Sequence, residues 1–135
     1  LVGAALATAD YPLEIETYSR YIGLIGQFNN DLADIKVWDR KNDLINKKFS
    51  LPLIYLLNYK DEELKFIHDY YETDNKIEES EILKNQELIS NKFFATGAIA
   101  YAEVIKKVYQ NKAMEELKKL NMEPYYTELL LKYIN

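Results

Sequence analysis

The stretch YPLEIETYSRYIGLIGQFNNDLADIKVW, residues 11–38, decides the fold class of this chain. Its apolar residues recur at steps of three and four, which is the spacing of one face of an α-helix. They are Ile15, Tyr18, Ile22, Ile25, Leu32 and Ile35. Pro12 suits the first turn of a helix, and Glu14 and Glu16 complement the positive end of its dipole. We therefore predict a helix that runs to about Trp38.

The rest of the chain is also predicted to be helical, because it shows no strand alternation, internal repeat or low-complexity segment. Only 4 Gly and 3 Pro interrupt it. Helices are predicted at residues 1–9, 51–58, 62–71, 78–90, 91–120 and 124–134, with N-caps at Ser50 and Asp61. Polar loops or turns are predicted at 10–12, 39–49 and 73–75. The expected fold class is all-α.

Composition excludes several classes of function. The net charge of -5 argues against a nucleic-acid partner, because binding DNA or RNA requires clustered cations. The absence of Cys excludes disulfides, thiolate metal sites and cysteine nucleophiles, and it suits a reducing cytoplasm, where we expect the protein. The apolar residues 1–9 are too few to span a bilayer, so no transmembrane segment is predicted.

The chain begins without Met, inside the small-residue helical pattern of residues 1–9. A length of 135 residues fits one domain or part of a larger one. We therefore expect residues 1–135 to be the C-terminal part of a single helical domain whose N-terminal part lies upstream.

Four polar side chains lie on one face of the predicted helix 11–38. Asp31 and Asp34 are three residues apart, so their side chains share that face with the amides of Gln27 and Asn30. Two carboxylates this close repel each other, and a magnesium ion relieves the repulsion while bridging to phosphate oxygens. The alternative is a solvated polar face, but apolar neighbours and two nearby glycines make this face unlike an ordinary Lys/Glu surface.

A second run, residues 42–52, follows and makes the pattern specific. Together the two runs resemble the second aspartate-rich region of the trans-isoprenyl diphosphate synthases, FQxxDDxxD, and the block GDLxxGKxTLP after it. The matching residues are Gln27, Asp31, Asp34, Asp43, Leu44, Lys48, Leu51 and Pro52, with Ser50 in place of Thr. Three residues depart from the family pattern: Asn30 replaces its first Asp, and Asn42 and Lys47 each replace a Gly.

The resemblance implies a helical bundle of the isoprenoid synthase type, with Mg²⁺ as cofactor and an allylic isoprenyl diphosphate as substrate. It implies a metal site at Asn30, Asp31 and Asp34, and catalytic roles for Gln27 and Lys48. Substrate binding is assigned to Gln27, Asn30, Lys47 and Lys48; for Lys47, a solvated loop is the alternative interpretation. The isolated chain is expected to be inactive, because the family's first aspartate-rich region would lie upstream of it.

The sequences of the two runs are most similar to those of the bacterial competence-regulator prenyltransferases of the ComQ type. These enzymes attach an isoprenyl chain to a Trp of a peptide pheromone precursor, so a peptide acceptor is expected here. The resemblance also implies a homodimer, or pairing with the N-terminal half.

Three alternatives remain open from the residues. A chain-elongating polyprenyl diphosphate synthase is disfavoured by Asn30, since such enzymes generally keep the full DDxxD. A non-catalytic regulatory or partner-binding helical subunit would retain the fold with a weakened site. A terpene cyclase would place Ser or Thr and then Glu where this chain has Asp34 and Trp38. Trp38 is expected to pack in the core, and the lone His68 to be structural.

Overall fold

The computed structural model describes residues 13–38, 42–72 and 79–135. Throughout these three ranges the regular structure is helical, without a strand, which confirms the all-α class. The α-helices are α1 Leu13–Asp34, α2 Leu51–Asn58, α3 Lys65–Glu72, α4 Glu79–Lys84, α5 Gln86–Ala95, α6 Ala98–Lys119 and α7 Pro124–Leu131. The helix predicted at 1–9 and the turns at 10–12 and 73–75 lie outside the described residues.

The chain divides into two compact units, and the first combines residues up to 28 with residues 104–135. The centre of this unit is apolar and consists of Tyr18, Ile25, Ala113, Leu117 and Ile134. Tyr18 is fully buried, and its hydroxyl donates a hydrogen bond to the Leu130 carbonyl at 2.5 Å. This bond satisfies the one polar atom of a buried ring and fixes the position of α7 within the unit.

The second unit comprises residues 29–103. Its buried core draws on α2 to α6 and on the segments before them, through Ile35, Leu44, Leu53, Leu56, Leu64, Ile67, Tyr70, Ile82, Ile89, Phe93 and Ala98. Trp38 packs against this core as expected, and its indole N–H donates to Ser90 Oγ at 3.2 Å. The candidate site described below belongs to this unit.

The start of α3 agrees with the predicted cap. The Asp61 carboxylate accepts from the backbone N–H of Glu63 at 2.9 Å, although the first turn, Glu62–Leu64, is a 3₁₀-helix. Lys92 on α5 forms ion pairs with Asp61 at 2.6 Å and Glu63 at 2.8 Å. These contacts join α5 to the beginning of the α3 segment.

The predicted extent of the first helix was wrong at its C-terminal end. α1 ends at Asp34, four residues before Trp38. The reason is the loop that follows, because the Asn42 side-chain amide donates to the carbonyls of Asp34 at 3.1 Å and Val37 at 2.7 Å. Those carbonyls therefore have partners without a further helical turn.

Two predicted helices are also divided by breaks. The segment 78–90 is interrupted at Asn85, and the long helix 91–120 is interrupted at Gly97, between α5 and α6. Gly97 has φ +84, a left-handed conformation that favours glycine. Tyr55 stabilises this junction by donating its hydroxyl to the Thr96 carbonyl at 3.0 Å. The last helix, α7, ends at Leu131 rather than at residue 134, and turns follow it.

Across the described part of the chain, no helix is both long enough and apolar enough to cross a membrane.

Candidate magnesium and diphosphate site

The last turn of α1 presents the acidic residues of the candidate site. Asp31 is buried, with 4% of its surface exposed, Asp34 is half-buried and Asn30 is exposed. Both carboxylates are directed toward the segment 42–52, as their hydrogen bonds show. The two runs that the sequence analysis paired are therefore in direct contact.

Asp31 contacts the beginning of α2. Its Oδ2 accepts from the backbone N–H of Leu51 at 3.1 Å, one of the amides that a helix N-terminus leaves without an intrahelical partner. Ser50 occupies the N-cap position with extended backbone but makes no side-chain cap bond. The predicted start of α2 and the N-cap position of Ser50 are confirmed, although the Ser50 side chain donates and accepts no cap bond. A carboxylate from α1 supplies that cap and also meets the positive end of the α2 dipole.

Asp34 contacts the other end of the same segment. Its Oδ2 accepts from the backbone N–H of Asp43, with 2.5 Å between nitrogen and oxygen. One acidic residue thus holds the beginning of the loop and the other holds its end at α2. Charge-assisted bonds of this kind are stronger than neutral ones, so the loop is fixed relative to α1.

Asn42 organises the loop from inside. It is 2% exposed, and besides donating to two carbonyls of the α1 end it accepts at Oδ1 from the N–H groups of Leu44 at 2.9 Å and Ile45 at 3.3 Å. Four hydrogen bonds therefore use the whole amide. Asn42 stands where the resembled family has Gly, and in this chain the replacement gives the loop an internal scaffold.

Asp43 is the third carboxylate of the cluster. Burial raises its pKa above the ordinary value of 3.8, and the charges of Asp34 and Asp31 raise it further, while Lys48 lowers it. The three carboxylates thus repel one another, and Lys48 offsets part of the repulsion. Asp43 matches the downstream motif of the resembled family, although no role in the site was predicted for it. That match is the sequence feature that could have indicated its place in this cluster.

Lys47 and Lys48 are exposed on this loop. Lys47 has φ 54, the left-handed conformation, at the position where the family has a Gly. The backbone of the loop has therefore kept a glycine-like conformation in spite of the lysine. The Lys47 ammonium lies 4.6 Å from the centroid of the Tyr70 ring.

Two tyrosines of α3 hold the outer side of the loop. The Tyr70 hydroxyl donates to the Ile45 carbonyl at 2.6 Å, and the Tyr71 hydroxyl donates to the Lys48 carbonyl at 3.0 Å. Burial, with smaller effects of Tyr70 and Asp43, raises the pKa of Tyr71 far above its ordinary value. Nothing in the local spacing of these two tyrosines indicates partners 25 and 23 residues away.

Gln27 and Asn30 remain predictions. Both side chains are exposed on α1. Gln27 belongs to the first compact unit, whereas Asn30 and the rest of the candidate site belong to the second.

The space enclosed by the loop is small. A hollow of about 10 Å³ lies among Asp34, Ile35, Trp38, Asn42, Asp43, Leu44, Ser50, Leu53 and Phe93. About one water fits such a volume, so a diphosphate does not. Among the described residues, no group of three or more His, Cys, Asp or Glu side chains is arranged to hold a metal ion. A cation at Asp31 and Asp34 would therefore need further oxygen ligands from water or substrate.

Along nearly all of its length, the chain is similar to proteins described as tryptophan prenyltransferases. One is tryptophan prenyltransferase ComQ of Bacillus subtilis subsp. natto (strain BEST195), with 28% identity over 131 residues, covering 97% of this chain and 39% of the relative. Another is ComQ of Bacillus subtilis (strain 168), with 26% identity over 133 residues, covering 96% and 42%. This similarity confirms the resemblance that the two motifs indicated.

The chain spans about two fifths of the length of these curated relatives. No protein-family model matches it. No solved structure matches it either.

Proposed function

We propose that this chain is part of a magnesium-dependent prenyltransferase that ionises an allylic isoprenyl diphosphate and transfers the isoprenyl group to a Trp of a peptide. The relatives' activity, tryptophan prenyltransferase, supports the reaction class. The observation that carries the proposal is the pair of hydrogen bonds from Leu51 to Asp31 and from Asp43 to Asp34. They bring an acid pair and a lysine-bearing loop together, which is the combination that binding magnesium diphosphate requires.

The donor set of the site fits magnesium. Asp31, Asp34 and Asn30 offer oxygen atoms, and magnesium commonly uses one or two protein carboxylates together with water and substrate phosphates. Burial is the main cause of the raised pKa of Asp43, and the nearby charges of Asp34 and Asp31 add to it, which supports a divalent cation as the group that would relieve their repulsion. Magnesium, when bound, would supply positive charge to the diphosphate leaving group. Asn30, as a neutral ligand in place of the family Asp, weakens the expected affinity.

The chain's own residues would act on the diphosphate end of the substrate. Lys48 would donate to its oxygens as they gain charge during departure. In the reaction the bond between the allylic carbon and oxygen breaks, and its electron pair leaves with the diphosphate. The indole of the acceptor then forms a bond to that carbon and loses a ring proton. Asp31 and Asp34 keep their orientation because the loop backbone holds them.

The experiment uses the complete gene product, including any residues outside 1–135, with magnesium, geranyl or farnesyl diphosphate and a Trp-containing peptide. Diphosphate release and the mass of the peptide are measured. Asp31→Asn removes the charge while keeping an oxygen to accept from Leu51, and Lys48→Ala removes the ammonium. Each should lower kcat by about 100-fold or more. Exposed Lys84 on α4 provides a control variant, Lys84→Ala, that should leave the rate unchanged.

The same assay separates the alternatives. Rates unaffected by both Asp31→Asn and Lys48→Ala would show that the site is elsewhere. A longer isoprenyl diphosphate formed from isopentenyl diphosphate, with an unmodified peptide, would indicate a chain-elongating synthase. Folded protein that binds the peptide without any turnover would indicate a non-catalytic partner-binding subunit. Size measurement of the complete protein tests the expected homodimer, or its assembly with a further helical part.

A further inference from the structure

Lys47 occupies an unfavourable backbone conformation that is well fixed. Its φ of 54 belongs to the left-handed region, which lysine seldom adopts. Its N–H donates to the Leu44 carbonyl at 3.1 Å, and the N–H of Lys48 donates to the Asp43 carbonyl at 2.8 Å. Because these bonds are made by backbone atoms, they would form equally well with Gly at this position. The lysine side chain is therefore not needed for the shape of the loop.

The side chain of Lys47 nevertheless has a defined place. Its ammonium lies 4.6 Å from the centroid of the Tyr70 ring, within the range of a cation–π interaction. Tyr70 is only 5% exposed, and its own hydroxyl is bonded to the Ile45 carbonyl. The ring also meets Tyr71 edge-on, with 5.8 Å between centroids. The Tyr70 ring is thus held in a fixed position, and the exposed Lys47 ammonium lies over it.

The Tyr70 ring adjoins the acidic part of the site. Tyr71, in contact with Tyr70, bonds to the carbonyl of Lys48 and is affected by the charge of Asp43. The charge of Lys48 acts on Asp43, whereas the structure records no ion pair between Lys47 and any described carboxylate. Of the two neighbouring lysines, Lys48 acts on Asp43, whereas the contact that the structure gives the Lys47 ammonium is with the Tyr70 ring.

We propose that Tyr70 is a positioning residue that holds the Lys47 ammonium for contact with the diphosphate of the substrate. This inference rests on the proposed function, since it assumes a diphosphate ligand at the same site. An ammonium already restrained over a ring loses less conformational freedom when it binds a phosphate than a free lysine does. Lys47 thereby adds a cation at a position where the resembled family has a Gly.

The test measures binding of magnesium pyrophosphate to the complete gene product by calorimetry, so it does not depend on turnover. Lys47→Met keeps the aliphatic stem over the ring and removes the charge, and it should weaken binding about 10- to 100-fold. Lys47→Arg, which keeps a cation over the ring, should bind within about threefold of the unchanged protein. Tyr70→Phe keeps the ring and should also bind nearly as well.

The decisive comparison is a double-mutant cycle. Tyr70→Leu should weaken binding about threefold to tenfold when Lys47 is present and should have no effect when residue 47 is Met. An equal loss in both backgrounds would show that Tyr70 acts only on the fold and would overturn the proposal. Should Tyr70→Leu fail to fold, Lys47→Met decides alone, because unchanged binding by that variant also overturns the proposal.

Failure of the inference and failure of the proposed function give different results. If the unchanged protein binds magnesium pyrophosphate and Lys48→Ala weakens binding while Lys47→Met does not, the site stands and only the role of Lys47 and Tyr70 is wrong. If the unchanged protein binds no magnesium pyrophosphate, both proposals are wrong.

Discussion

The two compact units differ in what they bury. The interior of the first unit is apolar, and the hydroxyl of Tyr18 is the polar group that enters it. The second unit contains all three of the buried polar or charged residues among those described, Asp31, Asn42 and Ser50. All three lie at or beside the loop of the candidate site. Burying polar groups is unfavourable unless they are bonded, and the hydrogen bonds of Asp31 and Asn42 meet that condition at this loop.

Tyrosine hydroxyls show the same contrast. In the first unit, Tyr18 bonds to a carbonyl 112 residues away and joins two helices. In the second unit, Tyr70 and Tyr71 bond to carbonyls 23 to 27 residues away and hold a segment that has no regular helix. Tyrosine hydroxyls thus join helical segments in both units, as Tyr55 does at Thr96 in the second, and in the second unit they also fix an irregular loop.

The largest effect is expected at Asn42, the buried polar residue that holds the loop of the second unit together. Asn42→Ala removes four hydrogen bonds, one of them buried and three part-buried. The free energy of unfolding should fall by about 3 kcal/mol, measured by urea denaturation. Asn42→Asp keeps the two accepted bonds but removes the two donated ones and adds a buried charge beside Asp34 and Asp43, so it should also lower the free energy of unfolding. Asn30→Ala, on an exposed side chain, is the control.

A pH dependence is expected from Tyr18 in the first unit. Burial, and to a smaller degree Tyr133, raises the pKa of Tyr18 from 10.0 to about 12. A raised pKa means that the folded state favours the neutral phenol, so this contribution is complete below pH 10 and is lost as the pH rises through 12. The loss amounts to about 2–3 kcal/mol at strongly alkaline pH.

Tyr18→Phe tests this origin. At neutral pH it should lower the free energy of unfolding by about 1 kcal/mol, the value of one hydrogen bond. Between pH 10 and 12 it should decline less steeply than the unchanged protein, although Tyr71 of the second unit still contributes in the same direction. Exposed Tyr125 supplies the matched control, Tyr125→Phe; an identical alkaline decline in all three proteins would contradict the assignment to Tyr18.

The smallest effect is expected at Lys47 in the second unit. Lys47→Ala and Lys47→Gly both remove the ammonium, but only Gly adopts a positive φ without steric conflict. The Gly variant should therefore be more stable than the Ala variant by about 1 kcal/mol, measured by thermal or urea unfolding. Equal stabilities would mean that the left-handed backbone is not strained by a side chain at this position.

The helices were predictable where their signals are local. The bounds of α2 follow from Pro52 in its first turn and from the apolar run before Asn58, and both ends agree with the structure. The end of α1 was not predictable in this way, because the atoms that terminate it belong to Asn42, eight residues beyond Asp34. Gly97 was overlooked because an isolated Gly inside a helical pattern is tolerated about as often as it breaks one.

The residues that belong to the candidate site were predictable, but the hydrogen bonds that join them were not. Two spaced motifs marked Asp31, Asp34 and the segment 42–52 as parts of one predicted site, and in the structure hydrogen bonds from Leu51 and Asp43 bring them into contact. That a carboxylate rather than Ser50 caps α2 depends on the three-dimensional approach of α1, for which the sequence has no local signal. The same holds for the tyrosines of α3.

The cap that Asp31 provides has a consequence for how related sequences should be compared. A descendant that no longer bound a metal would still benefit from an acid at this position, since α2 would otherwise begin with an unpaired amide. The structural role of Asp31 would thus be enough to retain an aspartate here, so its presence in a related sequence would say little about activity. Asn30 and Lys48 have exposed side chains, so changes at those two positions are the more informative record of whether a lineage kept its chemistry.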